Sequence, residues 1–239
     1  RGIIDILKRY NFTVEENMPF DKDVSLDPEL LGKVFENLLA SYNPETQQTA
    51  RKQTGSFYTP REIVQYMVDE SLVTHLKRTV GNELESEYRK LLDYADNEIL
   101  LTEQQKLAIM QSLYNCKILD PACGSGAFPV GVLQQMVHIL KQIDPDNSRW
   151  KNMLLQFAID ETSEAYLNST AEERREAVAD IERAFDENVN YPDYARKLHL
   201  IENCIYGVDI QPIAIQISKL RFFISLVIDQ KRNNNPADN

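Results

Sequence analysis

The chain has little with which to grip nucleic acid across its whole surface. Its 26 Lys and Arg are outnumbered by 37 Asp and Glu, for a formal charge of −11, whereas non-specific nucleic-acid binding wants a basic stripe. The basic pairs Arg51-Lys52, Lys77-Arg78, Arg174-Arg175 and Lys231-Arg232 are scattered and form no phosphate track. Cysteine is scarce: Cys116, Cys123 and Cys204 form no pair at metal or redox spacing. That excludes a framework of clustered metal or redox thiols and points to a reduced compartment, the cytoplasm. No apolar run reaches the length of a membrane span. The longest, Phe222 to Ile228, is broken by Ser225, and no signal peptide opens the chain. No internal repeat is present. The opening Arg-Gly, without a methionine, predicts a piece of a longer polypeptide.

What is there alternates between helical and extended patterns. "SLDPELLGKVFENLLASY" (25–42) reads as a helix with Ser25 or Asp27 as cap, Pro28 in the first turn, and Leu30, Leu31, Val34, Phe35, Leu38 and Leu39 at helical spacing. The following "NPETQQTARKQTGS" reads as a polar loop. "YTPREIVQYMVDESLVTHLKR" (58–78) carries a Thr59-x-x-Glu62 capping box with Pro60 at the first helical position. Its buried stripe is either Ile63, Met67 and Leu72 or Val64, Val68 and Leu72. A charged helical stretch from Glu83 to Leu113 follows. "KILD" (117–120) predicts a strand, 129–143 a helix with Leu133, Met136, Val137 and Leu140 inward, and 144–200 mostly polar helix. "CIYGVDI" (204–210) predicts a second strand and 211–230 a helix opened by Pro212. Strand-helix-strand-helix in this order implies parallel pairing. The tail "DQKRNNNPADN" reads as loop or linker.

The chemistry concentrates in "ILDPACGSGAF" (118–128), where an apolar strand ends in an acid and a glycine-rich turn opens a helix. Glycines let a ligand approach the backbone, and Asp120 sits at the carboxyl end of a strand, where ligands of open α/β sheets bind. A carboxylate there repels phosphate and favours a cationic or hydroxyl-bearing ligand. The dinucleotide pattern Gly-x-Gly-x-x-Gly is not met either, since Pro129 occupies the third glycine position. Both points favour a ligand with an amino group and a phosphate-free ribose, such as S-adenosylmethionine. The competing reading is a tight strand-helix connection and nothing more.

Three stretches together resemble a known family. "DPACGSGAF" (120–128) is similar to the first motif of S-adenosylmethionine-dependent N6-adenine DNA methyltransferases. "TGSFYTP" (54–60) is similar to the cofactor motif that precedes the sheet in the gamma-type order, and "IYGVDIQPIAIQISKLRF" (205–222) to the second motif. The stretch 31–64 most resembles fused restriction-modification enzymes of the type IIG, Eco57I-like group; type I modification subunits share a similar Tyr-Thr-Pro. The resemblance implies an α/β chain, a partial Rossmann-like methyltransferase fold preceded and interrupted by helical segments. The implied boundaries are a helical region 1–52, a cofactor-binding part 53–232 with a helical insertion about 144–200, and a polar tail 233–239.

It also implies roles. Asp120 would hold the methionine ammonium. Ala122, Cys123, Gly124, Ser125 and Gly126 would wall the cleft, Asp209 would accept the ribose hydroxyls, and Ile210 would lie on the adenine. Thr59 caps its helix, whose amino terminus suits the methionine carboxylate. Phe57 and Tyr58 either close the pocket or are core, and Phe128 either packs under the turn or is core. Cys123 is a small residue tolerated in a turn. Asp209 lies roughly 80 residues beyond Gly126, against about 20 in a dinucleotide fold, so 144–200 reads as an insertion, a solvated excursion or a docking surface.

One family element is missing. Methylating an adenine amine needs the base flipped out and its amino group polarised, which the family does with an Asn-Pro-Pro-aromatic or Asp-Pro-Pro-aromatic loop. Asn43-Pro44 continues Glu-Thr and Asn235-Pro236 continues Ala-Asp, so neither matches. No Asp…Glu-x-Lys nuclease signature stands out. The expectation is therefore a cofactor-binding portion of a site-specific N6-adenine DNA methyltransferase in a restriction-modification system. It needs no metal, has double-stranded DNA as partner of the intact protein, and is inactive alone. The alternatives are a non-catalytic interaction module, a fragment of a type I modification subunit, or a methyltransferase acting on RNA or protein. An open strand edge invites pairing of two copies.

Overall fold

The computed structural model describes residues 59–95, 97–160 and 169–231, and the backbone of 42–43 and 48–49. The amino-terminal helix expected over 25–42 and the site candidates Phe57 and Tyr58 lie outside the described residues. At the end of the expected helix and inside the stretch expected as polar loop, β1 (Tyr42–Asn43) and β2 (Gln48–Thr49) form a two-residue antiparallel pair.

Helix α1 (Arg61–Thr79) follows the expected helical pattern. It buries Val64, Val68, Leu72, Val73 and Leu76, while Ile63 and Met67 are about half exposed. Packing thus selects the second of the two stripes the sequence allowed. Its start differs by one residue. Pro60, with φ −56 and ψ 148, takes the cap position, and no side chain caps this end. An extended Pro60 delays the helix, so Thr59 falls one residue short of the expected capping box.

The charged stretch after α1 is not one helix. A 3-10 turn (Asn82–Leu84) leads into α2 (Glu85–Leu92), and the chain then runs non-helically to α3 (Glu103–Asn115). Asp93 makes the break: its carboxylate accepts hydrogen bonds from Ala95 N and the Asn97 amide, favouring a turn over another helical residue. Thr102 restarts the helix with a reciprocal box, accepting from Gln105 N while its own N–H donates to Gln105 Oε1 at 2.8 Å. Thr102→Ala should cost about 1 kcal/mol, read as a lower denaturant midpoint at unchanged slope.

Strand β3 (Ile118–Asp120) pairs in parallel with β4 (Ile205–Gly207), joining Ile118 to Ile205, Leu119 to Tyr206 and Asp120 to Gly207. Between them come α4 (Ala127–Ile143), α5 (Ser148–Ile159), α6 (Ala171–Ala184) and α7 (Pro192–Asn203); α8 (Pro212–Val227) follows β4. The described residues are therefore mostly helix around a small parallel pair, an α/β arrangement. Among them no helix is long and apolar enough to cross a membrane.

The core lies around α4, whose Val132, Leu133, Met136, Ile139 and Leu140 are buried. Gly131 lets α1 approach: a β-carbon there would stand 3.1 Å from Val64 Cγ1. Four residues on, the buried Gln135 amide donates to Asp69 Oδ1 at 2.7 Å and to Leu92 O. Val64 beside Gly131 and Asp69 beside Gln135 show that α1 and α4 run in the same direction.

Helices α5 and α7 are part of this core. Trp150 is fully buried, edge-on to Tyr114 and His199, and Tyr114 also stacks on Phe157 and His199 at 4.7 Å. Burial, helped by the Lys117 charge, lowers the His199 pKa to about 4. The folded ring therefore takes up a proton less readily than the unfolded one. Its stability contribution is complete above about pH 6.5 and is lost as pH falls toward 4, by up to about 3 kcal/mol. Denaturation at pH 7.5 and 4.5 should show a steeper acid loss for wild type than for His199→Leu.

Candidate functional site at the strand tips

The site begins where β3 and β4 end. Main-chain bonds carry the ladder past both strands: Val208 N donates to Asp120 O and Cys123 N to Val208 O, each at 2.9 Å. The chain then turns sharply, with Gly126 N donating to Cys123 O at 2.8 Å. Gly124 at φ +53 and Gly126 at φ +87 both occupy the left-handed region that glycine adopts without strain. Helix α4 starts at once after the turn, which places its amino terminus at the same end as both acids.

Asp120, at the end of β3, and Asp209, just past β4, come together here through the glycine turn, where Gly124 and Asp209 are 85 residues apart along the chain. Asp209 Oδ2 accepts the Gly124 N–H at 2.9 Å and its Oδ1 accepts the Gln211 N–H at 2.8 Å. Asp120 Oδ1 accepts from Ala122 N at 3.1 Å. Both acids are half-buried. The ribose-binding position is therefore also a structural tie: its carboxylate fastens the second strand tip to the glycine turn. A carboxylate oxygen has two acceptor sites, so these bonds leave acceptor capacity on both acids.

Cys123 is buried between them. A β-carbon on Gly207 would stand 2.9 Å from its Sγ, so the thiol packs against bare backbone. Burial raises its pKa, and the Asp120 and Asp209 charges add to the rise. The thiol stays protonated and is a poor nucleophile, in keeping with a small residue filling a turn.

The remaining candidates divide by exposure. Ala122 is exposed and Gly124 half-buried, while Ser125 and Gly126 are buried beneath the turn. Ile210 is 86 % exposed, beside the tip rather than under it. Phe128 is half-buried against the core, as its ordinary core reading has it. Thr59 is half-buried, and the shared direction of α1 and α4 puts it at the glycine-turn end of the pair.

Two residues not anticipated from the sequence complete the arrangement. Ser218 of α8 lies against Gly126, where a β-carbon would stand 2.4 Å from its Oγ. The second glycine of the turn thus serves helix packing. Arg221, 4 % exposed, donates from Nη1 to Ser125 O at 3.0 Å. Ala214, Ile217, Ser218 and Arg221 are the buried residues of α8, spaced i, i+3, i+4, i+7. An arginine in the last position of an otherwise small or apolar stripe is the signal that could have revealed it.

Chemically, the tips offer carboxylate acceptors, exposed backbone and a helix amino terminus within one turn of chain. That suits a zwitterionic ligand with hydroxyl groups better than a phosphate.

Comparison with known proteins agrees with the motifs. Residues 26–82 match the family model described as N-6 DNA Methylase. The match covers α1 and ends before β3. The chain is also similar to a Methanocaldococcus jannaschii protein named as a candidate type II restriction enzyme and methyltransferase. The two are 27% identical over 237 residues, covering 94% of this chain and 16% of that protein. The chain thus spans less than a fifth of the relative's length. No solved structure matches it.

Proposed function

We propose that this chain is the S-adenosylmethionine-binding portion of an N6-adenine DNA methyltransferase of a restriction-modification system. The observation that carries the reading is the bond between Asp209 and the Gly124 amide, which unites two acidic strand tips and a glycine turn. The residues fit the group: Asp120 would receive the methionine ammonium, Asp209 the ribose hydroxyls through its free acceptor sites, and Ile210 the adenine face. Thr59 would stand at the methionine end, and Phe57 and Tyr58 would close the pocket or belong to the core. The bound cofactor would supply an electrophilic methyl on sulfonium; these residues would hold and orient it.

The finer assignment to the type IIG group rests on the resemblance of residues 31–64. The Rossmann-like assignment is likewise a proposal. Supporting it, Leu119, Tyr206 and Val208 stay exposed on the two-stranded pair, although parallel sheets are ordinarily covered on both faces. Duplex DNA is the proposed substrate of the intact enzyme, and a second copy is the proposed partner for an open sheet edge. With no Asn-Pro-Pro-aromatic in this chain, it should transfer no methyl group to DNA by itself.

Titration calorimetry tests the reading. Wild type should bind S-adenosylmethionine weakly, and Asp120→Ala should weaken binding further by roughly ten- to a hundred-fold, the worth of a charge-assisted hydrogen bond. Absence of binding by wild type, or equal affinity in the variant, overturns it. Incubation with duplex DNA and labelled cofactor should leave the DNA unlabelled.

A further inference from the structure

We infer that Arg221 is a positioning residue for the cofactor turn, acting through Ser125 without touching the ligand; the inference rests on the cofactor reading above. The turn is gripped from two sides. On one, Asp209 takes the Gly124 N–H. On the other, the Arg221 guanidinium takes the Ser125 carbonyl at 3.0 Å, and Ser218 closes against Gly126. The two grips fall on successive residues, and both come from one short stretch, Asp209 to Arg221. That stretch is the second strand tip with the first three turns of α8.

The peptide unit explains why this matters for binding. A peptide is planar, so fixing the direction of the Ser125 carbonyl fixes the opposed Gly126 N–H. That N–H donates to Cys123 O and closes the turn. Both glycines sit at positive φ, where the backbone has wide freedom unless held. Without Arg221, the buried Ser125 carbonyl would lose a charge-assisted partner, and the peptides around Gly124 and Gly126 could rotate. A ligand that reads backbone groups of the turn would then meet a mixture of geometries, paying to select one.

A buried arginine also costs desolvation, which a plain packing position would avoid by using an apolar residue. Its neighbours on the stripe, Ala214, Ile217 and Ser218, are small or apolar. Holding the Ser125 carbonyl is one role that offsets this cost.

Arg221→Met keeps the stem and removes the donors; Arg221→Lys keeps the charge and one donor head. Each variant of the 239-residue chain would be measured for S-adenosylmethionine affinity by calorimetry and, without ligand, for amide hydrogen exchange. Arg221→Met should bind at least ten-fold more weakly and expose the Gly124 and Gly126 amides to faster exchange. Amides of the distant core, such as Leu140 in α4, should keep wild-type protection. Arg221→Lys should recover at least half of the loss on a logarithmic scale. Wild-type affinity and turn protection in Arg221→Met would overturn the inference. So would a loss of protection spread equally over turn and core, or a lysine variant no better than methionine. If wild type itself fails to bind, the cofactor reading falls, while exchange at Gly124 and Gly126 still decides whether Arg221 sets the turn.

Discussion

Replacing Asp193 by alanine should destabilise the fold by about 3–5 kcal/mol, the cost of leaving a buried charge without its counter-ion. Arg196, on α7, is 1 % exposed and donates from Nη1 to Asp193 Oδ1 at 2.8 Å. Its Nη2 donates to the Asp144 carbonyl at the end of α4, and its Nε finds no partner. Asp193 also receives Lys141 of α4 at 2.7 Å. One carboxylate therefore neutralises a deeply buried cation and a surface cation, and it fixes α7 to α4. Removing it leaves the guanidinium with a single carbonyl acceptor. Removing the cation is less costly: Arg196→Met leaves Asp193 still paired with Lys141 and leaves no uncompensated buried charge. The expected order in urea unfolding is Asp193→Ala well below Arg196→Met, with the double variant recovering part of the single loss. If Asp193→Ala costs under 1 kcal/mol, the pair contributes no more than an exposed one.

That pair lies within the 144–200 stretch, which the sequence left open between a solvated excursion and a docking surface. The glutamate-rich composition belongs to α6, where only Ala184 is buried. On α5 and α7, Trp150, Met153, Leu154, Ala195 and Leu200 turn inward. Averaging composition over three helices hid two that pack on the core.

The strand tips were legible because their signal is local. An apolar run, an acid and closely spaced glycines need neighbouring residues only, and the parallel register then brings Asp120 and Asp209 to the same end. Helix stripes were half legible. On α1 the sets Ile63/Met67 and Val64/Val68 differ by one residue, about 100° of rotation, and only the approach of Gly131 chooses between them. The break at Asp93 was hidden in a strongly helical composition, since a side chain turning back on its own backbone leaves no trace in periodicity. Thr59 illustrates the reverse: a well-formed capping motif displaced by the extended backbone of Pro60. Arg221 was half legible for a different reason: its place on the buried stripe of α8 marks it, but its partner is not local. Its meaning comes from a carbonyl 96 residues away, and nothing local announces that contact.

Trp150→Ala should cost about 3–5 kcal/mol, as expected when a large aromatic leaves a packed core, and Trp150→Phe far less. The indole is fully buried, with its ring edge-on to Tyr114 at 6.2 Å and to His199 at 5.4 Å. Its backbone N–H donates to Asp144 Oδ2 at 2.9 Å, tying the start of α5 to the end of α4. Truncation to alanine removes the ring that Tyr114 and His199 pack around. It leaves a cavity that helices held by main-chain bonds cannot easily close. The indole Nε1, however, is buried with no acceptor, an arrangement that itself costs free energy. Phenylalanine keeps most of the ring volume and discards the unpaired donor, so the two effects offset. The consequence reaches the strand tips. His199 lies on α7, which runs directly into β4 and so to Asp209. In the alanine variant the β4 amides should therefore lose exchange protection before those of α1, whose contacts with α4 do not pass through Trp150. Equal losses of stability for alanine and phenylalanine would mean the indole N–H has a partner after all, and unchanged β4 exchange would sever the link from aromatic cluster to site.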